Sequence, residues 1–358
     1  MVRPTYVEID LGAIAHNVAA FKTLIAPSRV CTVVKADAYG HGDVPVASAS
    51  LEAGAEMLAV ALIEEGARLR EAGIDAPILL LSEPGPEGAA DVVEWDLIPT
   101  VYSTGFVEAL GATGRPHAVH LKVDTGMHRV GARPDDVSEL IAKIDETALV
   151  ELAAVWTHFS VADENPEFTR RQIESFDDVV AHLDVPMMHM ANTPAAILYP
   201  EARRDMCRIG LGTYGLHPCP ETSGRIDLRP AMRLVTHVSH VQRLEAGERP
   251  SYGRAKEMER AATIVTAPVG YADGFARALT RDGRALIGGR RFPLAGTVTM
   301  DQIVIDVGDQ DVTIGDEVVL LGRQGEEEIT ADEWAAAIGT ISYEVVCSIG
   351  PRVPRRYA

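Results

Sequence analysis

From about residue 29 to residue 210 the chain repeats one alternation: short apolar runs rich in β-branched residues, then stretches with apolar positions at helical spacing. The apolar runs predict strands at 32–36, 57–61, 78–82, 97–102, 118–123, 152–159, 186–192 and 206–210. Between them, 44–55, 63–73 and 165–183 read as helices, the last with Asn165 as cap and Pro166 in the position after it. Strands that are apolar throughout are buried on both faces, which implies a parallel sheet covered by helices. Eight such strands with their crossovers close into a (β/α)8 TIM-type barrel more readily than they stay open, with a doubly wound open sheet as the competitor. After about Arg229 the texture changes to short alternating runs punctuated by Gly, Pro and Asp, which predicts a mainly β C-terminal domain. The expected domains are therefore 1–229 and 230–358, the second with one late helix that opens at Ala331 and Asp332 and stops at Gly339.

A length of 358 residues agrees with two domains, because a single core seldom grows past roughly 250 to 300 residues. Lys and Arg total 33 against 52 Asp and Glu, a net charge of −19, and such a surface repels nucleic-acid phosphates and anionic lipid. No apolar stretch approaches the roughly 18 residues of a membrane span, and Glu8 and Asp10 fall where a signal peptide would be apolar. A cytoplasmic protein without nucleic-acid or membrane partners is expected. Cys31, Cys207, Cys219 and Cys347 are scattered, which predicts reduced core thiols and neither a disulfide framework nor a metal site.

In a barrel the chemistry sits where the strands end, and here those ends are polar. The first run leads into Lys35 and Tyr39, the fifth into VDTGMHRVG, the sixth ends at His158, the seventh in Asn192 and Thr193, and the eighth in RIGLGTYG with Arg208. A lysine within an apolar run either snorkels its charge to water or serves as a nucleophile whose pKa burial lowers. The glycine-rich segment after the eighth strand, together with Thr193, lies where barrels bind phosphate. An aldehyde-reactive lysine and a phosphate cup in one mouth suggest pyridoxal phosphate (PLP).

The ordered stretches VVKADAYGHG, HLKVDTGMHRVG, THFS, HMANTPA, RIGLGTYG, SYGR, GYADGFAR, GTVTMDQ and YEVVCSIGPRVPR resemble the alanine racemase family over essentially the whole length. That family is PLP-dependent, with a (β/α)8 barrel followed by a β domain. The resemblance implies that Lys35 is the Schiff-base lysine and that Tyr39, Thr193, Gly210, Leu211 and Tyr343 surround the cofactor phosphate, Thr193 standing where the family more often has Ser. It places Asn192 among the cofactor-binding residues, Arg208 opposite the pyridine nitrogen and His158 beside the ring. Tyr252 matches a second acid/base, and Tyr271, Met300 and Arg129 match the substrate carboxylate site. His128 sits where many relatives have Gly. Lys122 aligns with a lysine that is carbamylated in some members; an unmodified lysine in a wet pocket, or one paired with Asp124, fits the sequence equally well. A tyrosine in a β domain usually packs its ring, so Tyr252 as a base would need cationic or hydrogen-bonding neighbours, such as His158 and Arg208, in one network with it.

What the resemblance implies is racemisation of L-alanine to D-alanine for peptidoglycan, with Lys35 and Tyr252 as the two bases, in a homodimer whose sites are composite. A racemase of broader range, including serine, would want smaller residues at Tyr271 and Tyr343. A PLP decarboxylase on the same plan would carry a Gly-Gly-Gly phosphate loop, and the only adjacent glycines here are Gly288 and Gly289. A non-enzymatic PLP carrier would leave Tyr252 and the β domain without a purpose.

Overall fold

The computed structural model describes residues 3–358. It divides into two units, one holding Gly12–Ala38 and Gly42–Arg229, the other the chain up to Leu11 together with Tyr39–His41 and Pro230–Ala358. The strands, numbered along the chain, begin with β1 (Tyr6–Ile9), β2 (Arg29–Val33), β3 (Met57–Val60), β4 (Ile78–Leu80), β5 (Ile98–Val101) and β6 (His117–Lys122). β7 (Val150–Trp156), β8 (Met188–His189), β9 (Met206–Ile209) and β10 (Met232–His237) follow.

β2 to β9 form a closed parallel barrel in sequence order, with β2 pairing β9 to close it, so the open-sheet alternative is excluded. Each of the eight apolar runs supplies one of its strands. The runs are buried on both faces as their composition demands, with Val30, Leu58, Leu79, Val101, Leu121 and Val155 all inaccessible to water. Every strand's bounds differ from expectation by one or more residues, and two of the differences bear on the site. The first strand ends at Val33, so Lys35 lies just beyond it rather than inside it, and the seventh is cut to Met188–His189 because Asn192 already caps the helix that follows. Asn165 caps the helix Pro166–Val180 as expected, its side chain accepting from Phe168 N–H at 3.0 Å.

A buried asparagine ties the barrel's entry to its exit. Asn17, on the helix Leu11–Ile25, donates to Thr213 O (3.0 Å) and Arg229 O (2.9 Å) and accepts from Arg229 N–H (2.8 Å). It thereby satisfies backbone groups in the turn after β9 and at the last residue of the unit.

The other unit is mainly β. Its remaining strands are β11 (His240–Leu244), β12 (Ala262–Ala267), β13 (Arg284–Ile287), β14 (Arg290–Pro293), β15 (Ile303–Gly308), β16 (Glu317–Gln324), β17 (Glu327–Ile329) and β18 (Arg355–Tyr357). They form a seven-stranded sheet in the order β14-β13-β16-β10-β1-β18, with β17 on β16, and a three-stranded sheet β11-β12-β15. The expectation that residues 1–229 form one domain needs correction at its start. β1 pairs antiparallel with β10 and parallel with β18, so the N-terminal strand belongs to the β unit. Val7 and Ile9 point into that core while Tyr6 and Glu8 do not, an alternation too short to stand out in the sequence.

The late helix runs Ala331–Ile338, capped by Thr330 with Glu333 returning the bond and closed by Gly339 at φ 75°. The thiols are a second correction: none of the four forms a disulfide among the described residues, but only Cys31 and Cys207 are buried, while Cys219 is partly exposed and Cys347 is on the surface. Among the described residues no helix is long and apolar enough to cross a membrane.

Replacing Asn17 by Ala should destabilise the protein by about 2–4 kcal/mol, because two carbonyls and one N–H lose their partner where water cannot reach. Urea unfolding checks this. A loss within the roughly 0.5 kcal/mol typical of surface changes would contradict it.

Candidate functional site

The chain leaves β2 in an unusual way. Ala36, Asp37, Ala38 and Tyr39 all have φ between 50° and 54°, so Lys35–Gly40 forms one turn of left-handed helix made largely of residues that have a Cβ. Each such residue costs roughly 1–2 kcal/mol, and the surrounding structure holds the turn. Ala38 N–H bonds Val34 O (2.9 Å), Gly42 N–H bonds Asp37 O (2.9 Å), and Ala36 N–H bonds Glu65 Oε1 (2.7 Å). Glu65, itself buried, takes Ala61 N–H (2.8 Å) and Leu62 N–H (3.2 Å) on its other oxygen, which clamps the turn to the end of β3. Strain of this kind concentrates at functional sites, and here it sets the half-buried Lys35 at the barrel rim.

On the neighbouring strand β9, paired with Cys31 of β2, Arg208 is 2% exposed and has no carboxylate partner among the described residues. Its Nη1 donates to His189 Nδ1 (2.7 Å), and its Nη2 to Thr157 O (2.9 Å), Met190 O (3.1 Å) and His158 Nδ1 (3.2 Å). The guanidinium lies 4.4 Å from the centre of the Trp156 ring. Burial lowers its pKa to about 10, so it stays charged at neutral pH. Burial, then the charges of Arg208, Lys122, Arg129 and Lys35, hold the His158 imidazole well below its ordinary range. His158 is therefore neutral. Since a guanidinium can only donate, His158 Nδ1 accepts and its proton sits on Nε2. Nη1 and Nη2 of Arg208 are thus engaged, and among the described residues Nε–H has no acceptor.

Thr193 opens the short helix after β8, and its hydroxyl oxygen accepts from Gly210 N–H (3.0 Å) and, more loosely, Gly212 N–H (3.5 Å). The Thr193 O–H remains as a donor beside Leu211, whose N–H begins a 3₁₀ turn and has no acceptor within it. Gly212 has to be glycine, since a Cβ there would come within 2.4 Å of the Phe21 ring and 2.9 Å of Thr193 Cγ2. Asn192 uses its side chain as helix cap, accepting from Ala195 N–H at 3.2 Å.

On β6, Lys122 is 2% exposed, with its ammonium 4.9 Å from the Trp156 ring centre. Burial, then Arg129 and Arg208, lower its pKa to about 8. The pairing with Asp124 is not formed. Asp124 accepts instead from Gly126 N–H and His128 N–H (both 3.0 Å) and faces His128 Nδ1 at 3.2 Å. Arg129, on the same loop, is exposed and forms no ion pair among the described residues.

The remaining sequence-predicted residues lie in the β unit. Tyr39 and Tyr343 have ring centres 6.1 Å apart, and burial pushes the Tyr39 phenol pKa upward. Tyr271 and Met300 are brought together by backbone bonds from Tyr271 N–H to Thr299 O (3.0 Å) and Ala272 N–H to Met300 O (3.1 Å). Beneath that turn Asp273, fully buried, accepts from Gly270 N–H (3.0 Å) and meets Arg3 at 2.8 Å. Tyr252 is 75% exposed, on a turn fixed by Ser251 Oγ donating to Thr297 O (2.6 Å) and Thr297 Oγ1 to Tyr252 O (2.8 Å). Tyr252 belongs to the β unit, and His158 and Arg208 to the barrel unit. Unforeseen in the sequence were Glu65, Trp156, His120, His189 and Asp273; the histidines could have been found as polar interruptions of apolar strands.

A ligand with a phosphate and a neutral ring nitrogen fits this donor set. Thr193 O–H and Leu211 N–H suit the phosphate, and Arg208 Nε–H suits an acceptor that carries no proton.

Two family models match the chain: "Alanine racemase, N-terminal domain" over residues 9–218 and "Alanine racemase, C-terminal domain" over 231–357. The chain is 45% identical to an alanine racemase of Symbiobacterium thermophilum, over 99% of this chain and 97% of that one. A solved alanine racemase of Clostridium difficile superposes with TM-score 0.94 at 36% identity, covering 100% of this chain and 96% of the other. A histidine racemase of Leuconostoc mesenteroides superposes with TM-score 0.92 at 28% identity, covering 100% and 98%.

Lys122 should titrate near pH 8 rather than near the ordinary lysine value of about 10.5. The Arg129→Gln variant should titrate higher, because one neighbouring positive charge is gone. Between those two values the unfolded chain binds the proton that the folded one has released, so this group makes folding stability rise with pH there. NMR titration of isotopically labelled lysine checks both points, and an ordinary midpoint in the parent would contradict them.

Proposed function

The chain belongs to the alanine racemase family, and on that premise we propose that it interconverts L- and D-alanine with PLP, the cofactor on which the family depends. The observation that carries the reading is Arg208, a buried guanidinium fixed by neutral acceptors with its Nε–H left without one. A residue that cannot accept a proton, set opposite a pyridine nitrogen, keeps that nitrogen unprotonated. When bound, PLP withdraws electron density from the substrate α-carbon and so acidifies its proton.

The chain's own residues do the rest. With the cofactor bound, the Lys35 amine would take or return the substrate α-proton on one face, and the Tyr252 phenol would do so on the other. Thr193, Gly210, Leu211, Tyr39 and Tyr343 hold the phosphate, with Asn192 supporting Thr193 as cap of its helix. His158, neutral and with its proton on Nε2, would lie beside the ring as a donor. Arg129 and Met300 receive the substrate carboxylate next to Tyr271. A carbamate on Lys122 would give Arg129 a fixed anionic partner. The lowered pKa supports this, because a neutral amine is the form that adds carbon dioxide. The exposure of Tyr252 suits a residue that completes the site of a second copy, in a homodimer with two composite sites. The reading extends to a cytoplasmic enzyme supplying D-alanine for peptidoglycan.

The histidine racemase of the same fold keeps a wider substrate range in view. The bulk of Tyr271 and Tyr343 favours alanine, since each phenol occupies room that a larger side chain would need.

Purified holoenzyme should abolish the optical rotation of L-alanine far faster than that of other L-amino acids. Borohydride should leave a reduced pyridoxyl group on Lys35. A label mapping to Lys122, or equal rates across amino acids, would contradict the assignment.

A further inference from the structure

Arg208 is one end of a chain of side chains that runs through the barrel interior. Its Nη1 donates to His189 Nδ1 (2.7 Å), and His189 Nε2 meets His120 Nδ1 at 3.1 Å. All three residues are at most 2% exposed. The direction of every bond follows from the first. A guanidinium has no lone pair to offer, so His189 Nδ1 must accept. Burial and the nearby Arg208 charge keep both imidazoles neutral, that of His120 titrating at about 3. A neutral imidazole carries one proton, so His189 carries it on Nε2. His120 Nδ1 must then accept, which leaves the His120 proton on Nε2.

That last N–H faces away from the rim. His120 lines a cavity of 550 Å³ together with Arg29, Met57, Ile98 and Asp205, which stand at or just before the starts of β2, β3, β5 and β9. The cavity is therefore the opposite mouth of the barrel, where strands begin rather than end. Trp156 keeps the middle of the chain in plane, its ring lying 5.3 Å from that of His189 and within 14° of parallel.

We propose that His120 is a positioning residue for Arg208: by accepting from the His189 Nε2–H, it fixes the orientation of the His189 ring and keeps Nδ1 turned towards the guanidinium. The chain ends in a donor aimed into the cavity at the far mouth, where solvent supplies its acceptor. Without the His120 lone pair, the His189 Nε2–H is a buried donor with no acceptor. A buried unmet donor costs about 1–3 kcal/mol, which favours turning the ring and drawing Nδ1 away from Nη1, the one end of Arg208 that no carbonyl holds. The effect on catalysis rests on the reading that Arg208 faces the cofactor; the proton positions do not.

Neutron diffraction of the deuterium-exchanged holoenzyme reads the chain directly. Deuterium is expected on Nε2 of both His189 and His120 and on neither Nδ1. The His120→Leu variant keeps the volume and removes the acceptor. It should leave the His189 ring in more than one orientation in the neutron map and lower kcat for alanine about five- to tenfold with KM unchanged. The His120→Asn variant, whose short side chain can place an oxygen near the lost Nδ1, should restore both. Deuterium on Nδ1 of either histidine in the parent would overturn the chain. A His120→Leu enzyme with parental kcat would overturn the positioning role, while the trapping of cofactor on Lys35 would still stand or fall by itself. Should His120→Leu not fold, the parent neutron map and the His120→Asn kinetics decide the matter, a loss of kcat in His120→Asn as deep as that of His189→Leu counting against the proposal.

Discussion

A buried arginine cation with no carboxylate beside it is the constraint on which the barrel interior turns. Removing a charge from water costs several kcal/mol unless hydrogen bonds replace its solvation. For Arg208 these are carbonyl oxygens and neutral imidazole nitrogens, with the face of Trp156 beneath. Because no anion cancels it, the charge acts on its neighbours. It helps hold His158, His189 and His120 neutral and depresses Lys122 towards a reactive amine. A chain of net charge −19 thus carries a positive rim, suited to anionic groups that the rest of the surface would repel.

The second constraint is backbone strain. Four consecutive left-handed residues after β2 form only because Glu65 and the carbonyl of Val34 bind their amides. The same turn carries Lys35 at its start and Tyr39 at its end, so its hand fixes where both side chains leave the chain. In the β unit, buried Asp273 holds the turn bearing Tyr271 by accepting from Gly270 N–H.

Much of the barrel was legible because its strands are apolar on both faces, which leaves continuous runs such as those of Leu58 and Leu79. β1 was not, since four residues with two inward positions carry too little pattern, and its partners lie more than two hundred residues away. The left-handed turn was hidden for a different reason: KADAYG contains one glycine and reads as ordinary helix former. The rim residues stood out as polar interruptions where strands end, yet their separate roles came from resemblance to a family rather than from spacing. Asn192 also caps the helix that Thr193 opens, accepting from the Ala195 amide, a local role that the resemblance did not name.

The central claim is that two bases of this chain, Lys35 and Tyr252, address opposite faces of the substrate α-carbon. It is tested most directly by proton exchange in deuterated water with the Tyr252→Phe enzyme. The account predicts that deuterium enters alanine of one enantiomer at close to the parental rate, through Lys35, while entry into the other nearly stops. Equal slowing for both enantiomers would contradict it and leave Tyr252 as a structural residue.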